Sequence, residues 1–172
     1  MGDYFMCDCG TRRDIFGLAA GAAGFALLPL KAEAAGGVTA LAITCIDYRL
    51  VDDAVKFFDG QKLTNDYDQV SLAGASLAAV SDKFPESNAA FWSHIGIAKQ
   101  LHNIKKVIVM DHRDCGAFKV AFDKAYKGDK AGETAQHKQV MQQVKDKLAK
   151  THPDLQSEFY LMALDGKVER VI

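Results

Sequence analysis

The segment KVIVMDHRDCG, Lys106–Gly116, decides the fold predicted for this chain. Its first part, Lys106–Asp111, is dominated by a continuous apolar run, which is typical of a strand buried on both faces of a parallel sheet. His112 and Cys115 follow that strand directly. Because ligands bind beyond the carboxyl ends of the strands in such sheets, the segment indicates a site at that edge of the sheet.

Three other stretches are predicted to be strands of the same sheet. They are Val38–Thr44, Gln69–Gly74 and Phe159–Leu164, and the turn Asp165-Gly166 leads into an edge strand. Helical periodicity lies between them, at Asp52–Phe58, Asn88–Leu101 and Thr134–Lys150. We therefore expect an α/β fold: a mainly parallel β-sheet of four strands plus an edge strand, flanked by helices on both faces.

Length and composition favour one compact domain that needs no disulfide scaffold. The chain has 172 residues, of which 49% are hydrophobic, and its four cysteines are too few for a small disulfide-rich protein. Its formal net charge is −1, so it has no basic surface of the kind that binds nucleic acid. These features point to one compact globular domain that does not bind nucleic acid.

The N-terminus has the pattern of an export signal. Arg12 and Arg13 precede the nearly uncharged run Ile15–Leu30, and Ala32–Ala34 is a small-x-small cleavage pattern. The paired arginines resemble a bacterial twin-arginine leader, which implies export to the periplasm. We predict a leader at residues 1–34 and one mature domain at 35–172. The alternative is an uncleaved leader that tethers the protein to the membrane or to a membrane complex.

Cys45, His112 and Cys115 are a candidate set of zinc ligands. Cys45 follows the first predicted strand and the other two follow Lys106–Asp111, so all three should meet at the same sheet edge. Two thiolates and an imidazole suit zinc, and three protein ligands leave the fourth position that a catalytic site needs. Taken alone, the two cysteines could instead be buried apolar residues or form a disulfide.

Asp47 and Arg49 favour the metal-site interpretation. In an extended segment, positions 45, 47 and 49 share one side, so both charged residues should lie beside the metal. Arg49 would keep Asp47 ionised and turned away from the metal, free to accept a hydrogen bond from a reacting hydroxide. If that ion pair were broken, Asp47 could become a fourth zinc ligand and block the site.

The sequences Cys-Ile-Asp-Tyr-Arg, residues 45–49, and His-Arg-Asp-Cys-Gly, residues 112–116, resemble the two-part motif of the β-class carbonic anhydrases. The resemblance implies Zn²⁺ on Cys45, His112 and Cys115, with Asp47 and Arg49 as the catalytic dyad. It also implies a carbonate dehydratase, in which zinc-bound hydroxide converts CO₂ to bicarbonate. Members of that family are usually homodimers or larger homo-oligomers in which a partner chain helps to line the pocket.

Some positions depart from the family's usual pattern. Tyr48 stands where serine is usual, Ser71 and Leu72 replace a common Arg-Asn pair, and Asp111 precedes the histidine where glycine is common. The long N-terminal arm that often embraces the partner subunit is missing. Of the residues around the motif, we expect Tyr48, Gly74 and Gly116 to line the substrate pocket.

Two other functions fit the same sequence. Relatives on this scaffold can hydrolyse carbonyl sulfide or carbon disulfide, and Tyr48 or Leu72 would mark such a pocket. A non-catalytic zinc-binding subunit that docks onto a membrane assembly through a retained leader is the second alternative. Zinc content, CO₂ hydration and product analysis with sulfur substrates distinguish the three.

Overall fold

The structure is a computed structural model, and it describes residues 36–172. The predicted leader, residues 1–34, lies outside these residues. Five strands form one sheet: β1 (Ala40–Thr44), β2 (Tyr67–Ser71), β3 (Lys106–His112), β4 (Gln156–Met162) and β5 (Val168–Arg170). Their order is β2-β1-β3-β4-β5. The first four are parallel and β5 is antiparallel to β4, which confirms the predicted fold class.

Four helices connect the strands: α1 (Val51–Gly60), α2 (Pro85–His102), α3 (Gly116–Phe122) and α4 (Lys130–Thr151). Two 3₁₀ turns, Tyr48–Leu50 and Ala75–Ala79, precede α1 and α2. Each helix predicted from periodicity is present and is longer than its apolar pattern. No helix among residues 36–172 combines the length and the apolar character needed to cross a membrane.

Two predicted strands end earlier than expected. β2 stops at Ser71 because Gly74 has a φ of +77°, and the backbone turns there into the 3₁₀ segment. β4 stops at Met162 because the chain reverses: Ala163 N–H donates to the carbonyl oxygen of Lys167. In both cases apolar residues continue past the point at which the backbone turns, so the apolar pattern overestimates the strand.

The sheet is buried on both faces, as its apolar strands require. Side chains alternate along β1, so Leu41 and Ile43 join the core formed with α2 and α4. Ala40 and Ala42 point the other way and pack in the core with Phe58 of α1. All five residues of β1 are buried. This central position of β1, beside β3, fixes where the residues that follow the two strands emerge.

Candidate metal centre

The carboxyl ends of β1 and β3 bring Cys45, His112 and Cys115 together. Cys45 follows β1, His112 is the last residue of β3, and Cys115 immediately precedes α3. Their ligand atoms all lie within 4.8 Å of one another, and the two Sγ atoms are 3.9 Å apart. His112 and Cys115 are buried and Cys45 is half-buried. The predicted convergence of these three residues is therefore present.

The geometry of the three side chains fits zinc. His112 Nδ1 lies 2.8 Å from the carbonyl oxygen of Arg113, so Nδ1 carries the proton and donates it. His112 Nε2 then presents its lone pair, is buried, and has no hydrogen-bond partner among the described residues. Zn–S bonds of about 2.3 Å in a tetrahedral centre place two sulfur atoms about 3.8 Å apart, close to the separation of Cys45 and Cys115.

One of the two thiols is favoured to ionise first. Cys45 Sγ lies within hydrogen-bond distance of the Cys115 thiol, at 3.9 Å, and accepts the Gly74 N–H at 3.3 Å. It also faces His112. These contacts outweigh burial and lower the pKa of Cys45, whereas the hydrogen bond to Cys45, burial and the charge of Cys45 raise the pKa of Cys115. Burial alone would lower the pKa of His112, but the neighbouring sulfur atom of Cys45 and its charge raise it. Metal binding requires thiolates, and Cys45 supplies the first.

Asp47 and Arg49 form a bidentate ion pair beside the three ligands. Arg49 Nε donates to Asp47 Oδ1 at 2.9 Å and Nη2 donates to Oδ2 at 2.7 Å. These hydrogen bonds lower the pKa of Asp47 to about 2, so the carboxylate is ionised at neutral pH. Asp47 Oδ2 lies 3.6 Å from His112 Nε2, which places the ion pair next to the candidate metal position.

The backbone path to Arg49 differs from the extended segment that we expected. Extended geometry ends at Asp47, and Tyr48–Leu50 is a 3₁₀ turn. Asp47 caps that turn, because its Oδ1 accepts the backbone N–H of Arg49 at 3.1 Å. The two charged side chains thus meet through a cap and not through strand alternation.

Asp114 ties Arg49 to the His112–Cys115 turn, a contact that the sequence did not predict. Arg49 Nη1 donates to Asp114 Oδ2 at 3.1 Å, and Nη2 donates to its carbonyl oxygen at 3.3 Å. Lys119 and then Arg49 lower the pKa of Asp114. The backbone of Asp114 has a φ of +58°, which aspartate tolerates better than most residues. The ion pair of Arg49 with Asp114 therefore links the two motif segments, in addition to the contact between Cys45 and Cys115.

Glu133 of α4 fixes the same turn from inside the protein. Its Oε1 accepts the Asp114 N–H at 2.6 Å, and its Oε2 accepts Arg113 Nη1 at 3.0 Å. Glu133 is only 7% exposed. Glu133 lies far from Arg113 and Asp114 in the sequence, and no sequence pattern links the three residues. This role was therefore not predicted.

A cavity of about 180 Å³ opens beside Cys45, Asp47 and His112. Its walls combine apolar and polar residues; besides these three, the lining consists of Thr44, Ile46, Leu50, Val51, Ala54, Gln69, Ser71, Met110, Asp111 and Met162. Tyr48, Gly74 and Gly116, which we expected in the substrate pocket, are not among its lining residues. Tyr48 is 85% exposed, the Gly74 N–H binds Cys45, and Gly116 begins α3. Their roles in substrate binding stay predictions.

Comparisons with known proteins agree with this architecture. Residues 36–171 match the model of a family described as "Putative carbonic anhydrase". The chain is 37% identical over 131 residues to an uncharacterized protein of Rickettsia conorii, covering 76% of this chain and 70% of that one. An uncharacterized protein of Rickettsia bellii is also 37% identical over 131 residues, covering 76% of this chain and 80% of that one.

A solved structure shows the same fold. It is that of the β-carbonic anhydrase CafD (E54A mutant) of Aspergillus fumigatus, with a TM-score of 0.50, 13% sequence identity, and coverage of 84% of this chain and 94% of that one. At that identity the likeness concerns the fold alone. The family model covers nearly all described residues and includes the two motif segments. This chain therefore belongs to the family described as putative carbonic anhydrases.

Proposed function

We propose that this protein is a zinc-dependent carbonate dehydratase that interconverts CO₂ and bicarbonate. One observation carries the proposal: Cys45, His112 and Cys115 converge around a buried Nε2 atom that has no hydrogen-bond partner among the described residues, and an ionised carboxylate lies beside them. When bound, zinc supplies the Lewis acidity that makes water nucleophilic near neutral pH. The membership of the family supports the same reaction.

Asp47 has the properties of a hydrogen-bond acceptor that orients the reacting water. Its pKa of about 2 keeps it ionised over the working range. Two thiolates offset the charge of a divalent ion, so the carboxylate matters more for orienting the reacting water than it would in an all-histidine site. Arg49 holds both carboxylate oxygens, which opposes rotation of Asp47 toward the ligand position.

The adjacent cavity suits a small, mostly apolar substrate. The buried side chains of Leu50, Ala54 and Met110 among its walls would keep bulk water from CO₂, while the ion pair of Asp47 marks its polar end. Electrostatic interactions are stronger where water is excluded. These walls should therefore strengthen the interaction of the Asp47 carboxylate with the reacting groups.

Stopped-flow CO₂ hydration on zinc-assayed protein tests the proposal. We expect hydration by a chain that holds an equimolar amount of zinc. Asp47→Asn should keep the zinc and lose roughly 10²–10⁴-fold in rate, whereas Cys45→Ser should lose zinc and activity together. Asp165→Asn is the matched control, because within residues 36–172 that carboxylate pairs with Lys167 alone, on the surface.

Full zinc occupancy without CO₂ hydration would contradict the dehydratase proposal. Product analysis with carbonyl sulfide and carbon disulfide would then test the sulfur-substrate alternative, and retention of zinc without any turnover would favour the accessory-subunit alternative.

We also propose that the chain forms a homodimer and is exported by its leader. Four large apolar side chains in and just after the motif segment 45–49 support the first part: Ile46, Tyr48, Val51 and Val55 are 40–85% exposed. Light scattering should give a dimer mass, which Val51→Asp would reduce. Cell fractionation with and without Arg12→Lys and Arg13→Lys would test export.

A further inference from the structure

A second cluster of polar side chains lies on the face of β3 opposite His112. Asp111 precedes His112 and points to the other face, because side chains alternate along a strand. It meets Ser76 of the turn Ala75–Ala79 and His137 of α4, and all three residues are at most 1% exposed. The function proposed above uses none of these three side chains.

The Asp111 carboxylate accepts three hydrogen bonds inside this cluster. Ser76 donates its backbone N–H to Oδ1 at 2.8 Å and its hydroxyl to Oδ2 at 2.6 Å. His137 Nδ1 donates to Oδ2 at 2.8 Å. Because an unsatisfied carboxylate is costly away from water, these hydrogen bonds hold the turn and α4 at fixed positions relative to the end of β3.

Through Ser76, the cluster reaches Cys45. Ser76 lies two residues after Gly74, whose N–H donates to Cys45 Sγ at 3.3 Å. The turn between them is rigid: Gly74 has a φ of +77°, and the N–H of Leu77 donates to the Gly74 carbonyl oxygen at 2.9 Å. Fixing Ser76 on Asp111 therefore fixes the donor that orients the Cys45 sulfur atom.

Through His137, the cluster reaches Cys115. The His137 ring lies against Phe118, with the ring centroids 3.8 Å apart. Phe118 is buried in α3, the helix that Cys115 immediately precedes, and both belong to one apolar cluster. The position of His137 thus limits movement of the helix that presents Cys115. Asp111 is joined to His112 by a peptide bond. Each member of the cluster is therefore connected to a different candidate ligand: Ser76 to Cys45, His137 to Cys115, and Asp111 to His112.

We propose that Ser76, Asp111 and His137 are positioning residues of the metal centre, which set the separation of the Cys45 and Cys115 sulfur atoms and thereby the affinity for zinc. The proposal rests on the metal site of the proposed function and does not depend on CO₂ as its substrate. Residues that orient metal ligands in this way typically change metal affinity roughly 10–100-fold when they are removed.

Two readouts test this role apart from activity. Zinc affinity is measured by competition with a chromophoric chelator, and the geometry of the ligands by the visible absorption spectrum of the Co²⁺-substituted protein. Ser76→Ala removes one buried hydroxyl, and His137→Leu removes the Nδ1 donor. Both should weaken zinc binding roughly 10–100-fold and alter the Co²⁺ bands. His137→Asn, whose Nδ2 can replace Nδ1, should restore most of both properties.

Val144→Ala is the matched control for a loss of packing. Val144 is fully buried on the same helix, α4, in the core on the same face of the sheet. It should lower thermal stability while zinc affinity and the Co²⁺ spectrum stay at wild-type values.

The positioning role is overturned if folded Ser76→Ala keeps wild-type zinc affinity and spectrum, or if Val144→Ala changes them as strongly. Should His137→Leu not fold, Ser76→Ala decides alone. A wild-type protein that binds zinc but does not hydrate CO₂ would overturn the proposed function, whereas the affinity measurements would still decide the positioning role.

Discussion

Gly74→Ala is expected to damage both the fold and the metal centre, although it adds only one methyl group. Gly74 has a φ of +77°, a conformation that costs an L-residue about 1–2 kcal/mol. An added Cβ would lie 3.0 Å from Leu77 Cβ and 3.1 Å from Ala117 Cβ. Neither neighbour is the end of a flexible side chain, so the crowding should add about 1–3 kcal/mol.

The free energy of unfolding should therefore fall by about 2–5 kcal/mol in metal-free protein, measured by urea denaturation. Relief of the crowding would also move the Gly74 N–H away from Cys45 Sγ. Loss of a hydrogen bond to a thiolate costs about 1.5–3 kcal/mol, so zinc affinity should fall roughly tenfold or more.

Two other glycine substitutions provide matched controls. A Cβ at Gly96, within α2, meets no atom within 4 Å, so Gly96→Ala should stabilise the protein by up to about 1 kcal/mol. A Cβ at Gly116 also meets nothing within 4 Å, so Gly116→Ala should leave stability nearly unchanged. The reasoning is refuted if Gly74→Ala unfolds at the same urea concentration as the wild type and binds zinc equally well.

Three further outcomes are expected. The pKa of Asp47 is depressed from 3.8 to about 2, so its ion pair with Arg49 stabilises the fold above pH 3.8 and this contribution is lost as the pH falls through about 2. Arg49→Gln should thus cost about 1 kcal/mol at pH 7, after allowance for solvent screening, and almost nothing near pH 2 in urea titrations. Metal-free protein that carries Cys7→Ser and Cys9→Ser should lose both remaining titratable thiols with hydrogen peroxide, because the sulfur atoms of Cys45 and Cys115 are 3.9 Å apart; zinc should protect them in a thiol assay. Glu133→Gln should lower the free energy of unfolding by about 2 kcal/mol in urea, because it removes the charge of a nearly buried ion pair; an unchanged midpoint would contradict this.

The fold and the candidate ligands were predictable because both follow from local patterns. The apolar run at Lys106–Asp111 could hardly form anything but a buried strand, and parallel strands bring the residues after them to a common edge. Cys45 and His112 were therefore predictable neighbours. The bounds of β2 were predicted less well, because the apolar residues continue to Gly74 while the backbone already turns.

The contacts that hold the ligands in place were not predictable in the same way. Arg49 meets Asp114 only because the backbone of Asp114 has a positive φ, and Asp111 meets Ser76 only because a 3₁₀ turn follows β2. Charged and polar residues have many partners of suitable chemistry in a chain of this length. Which partner is chosen depends on turns whose geometry is not encoded in any short apolar pattern.

The two fully enclosed histidines illustrate the same distinction. His112 and His137 each donate from Nδ1 and each have a buried Nε2 without a hydrogen-bond partner among the described residues. Their surroundings differ: two sulfur atoms lie within 4.8 Å of the His112 ligand atom, whereas the His137 ring packs on Phe118 and its Nδ1 is held by a carboxylate. Zinc would satisfy the first Nε2, whereas no ligand set of that kind surrounds the second within residues 36–172. The two imidazoles therefore have different roles. The motif predicts His112 as a candidate ligand, whereas only the packed structure reveals His137 as a support.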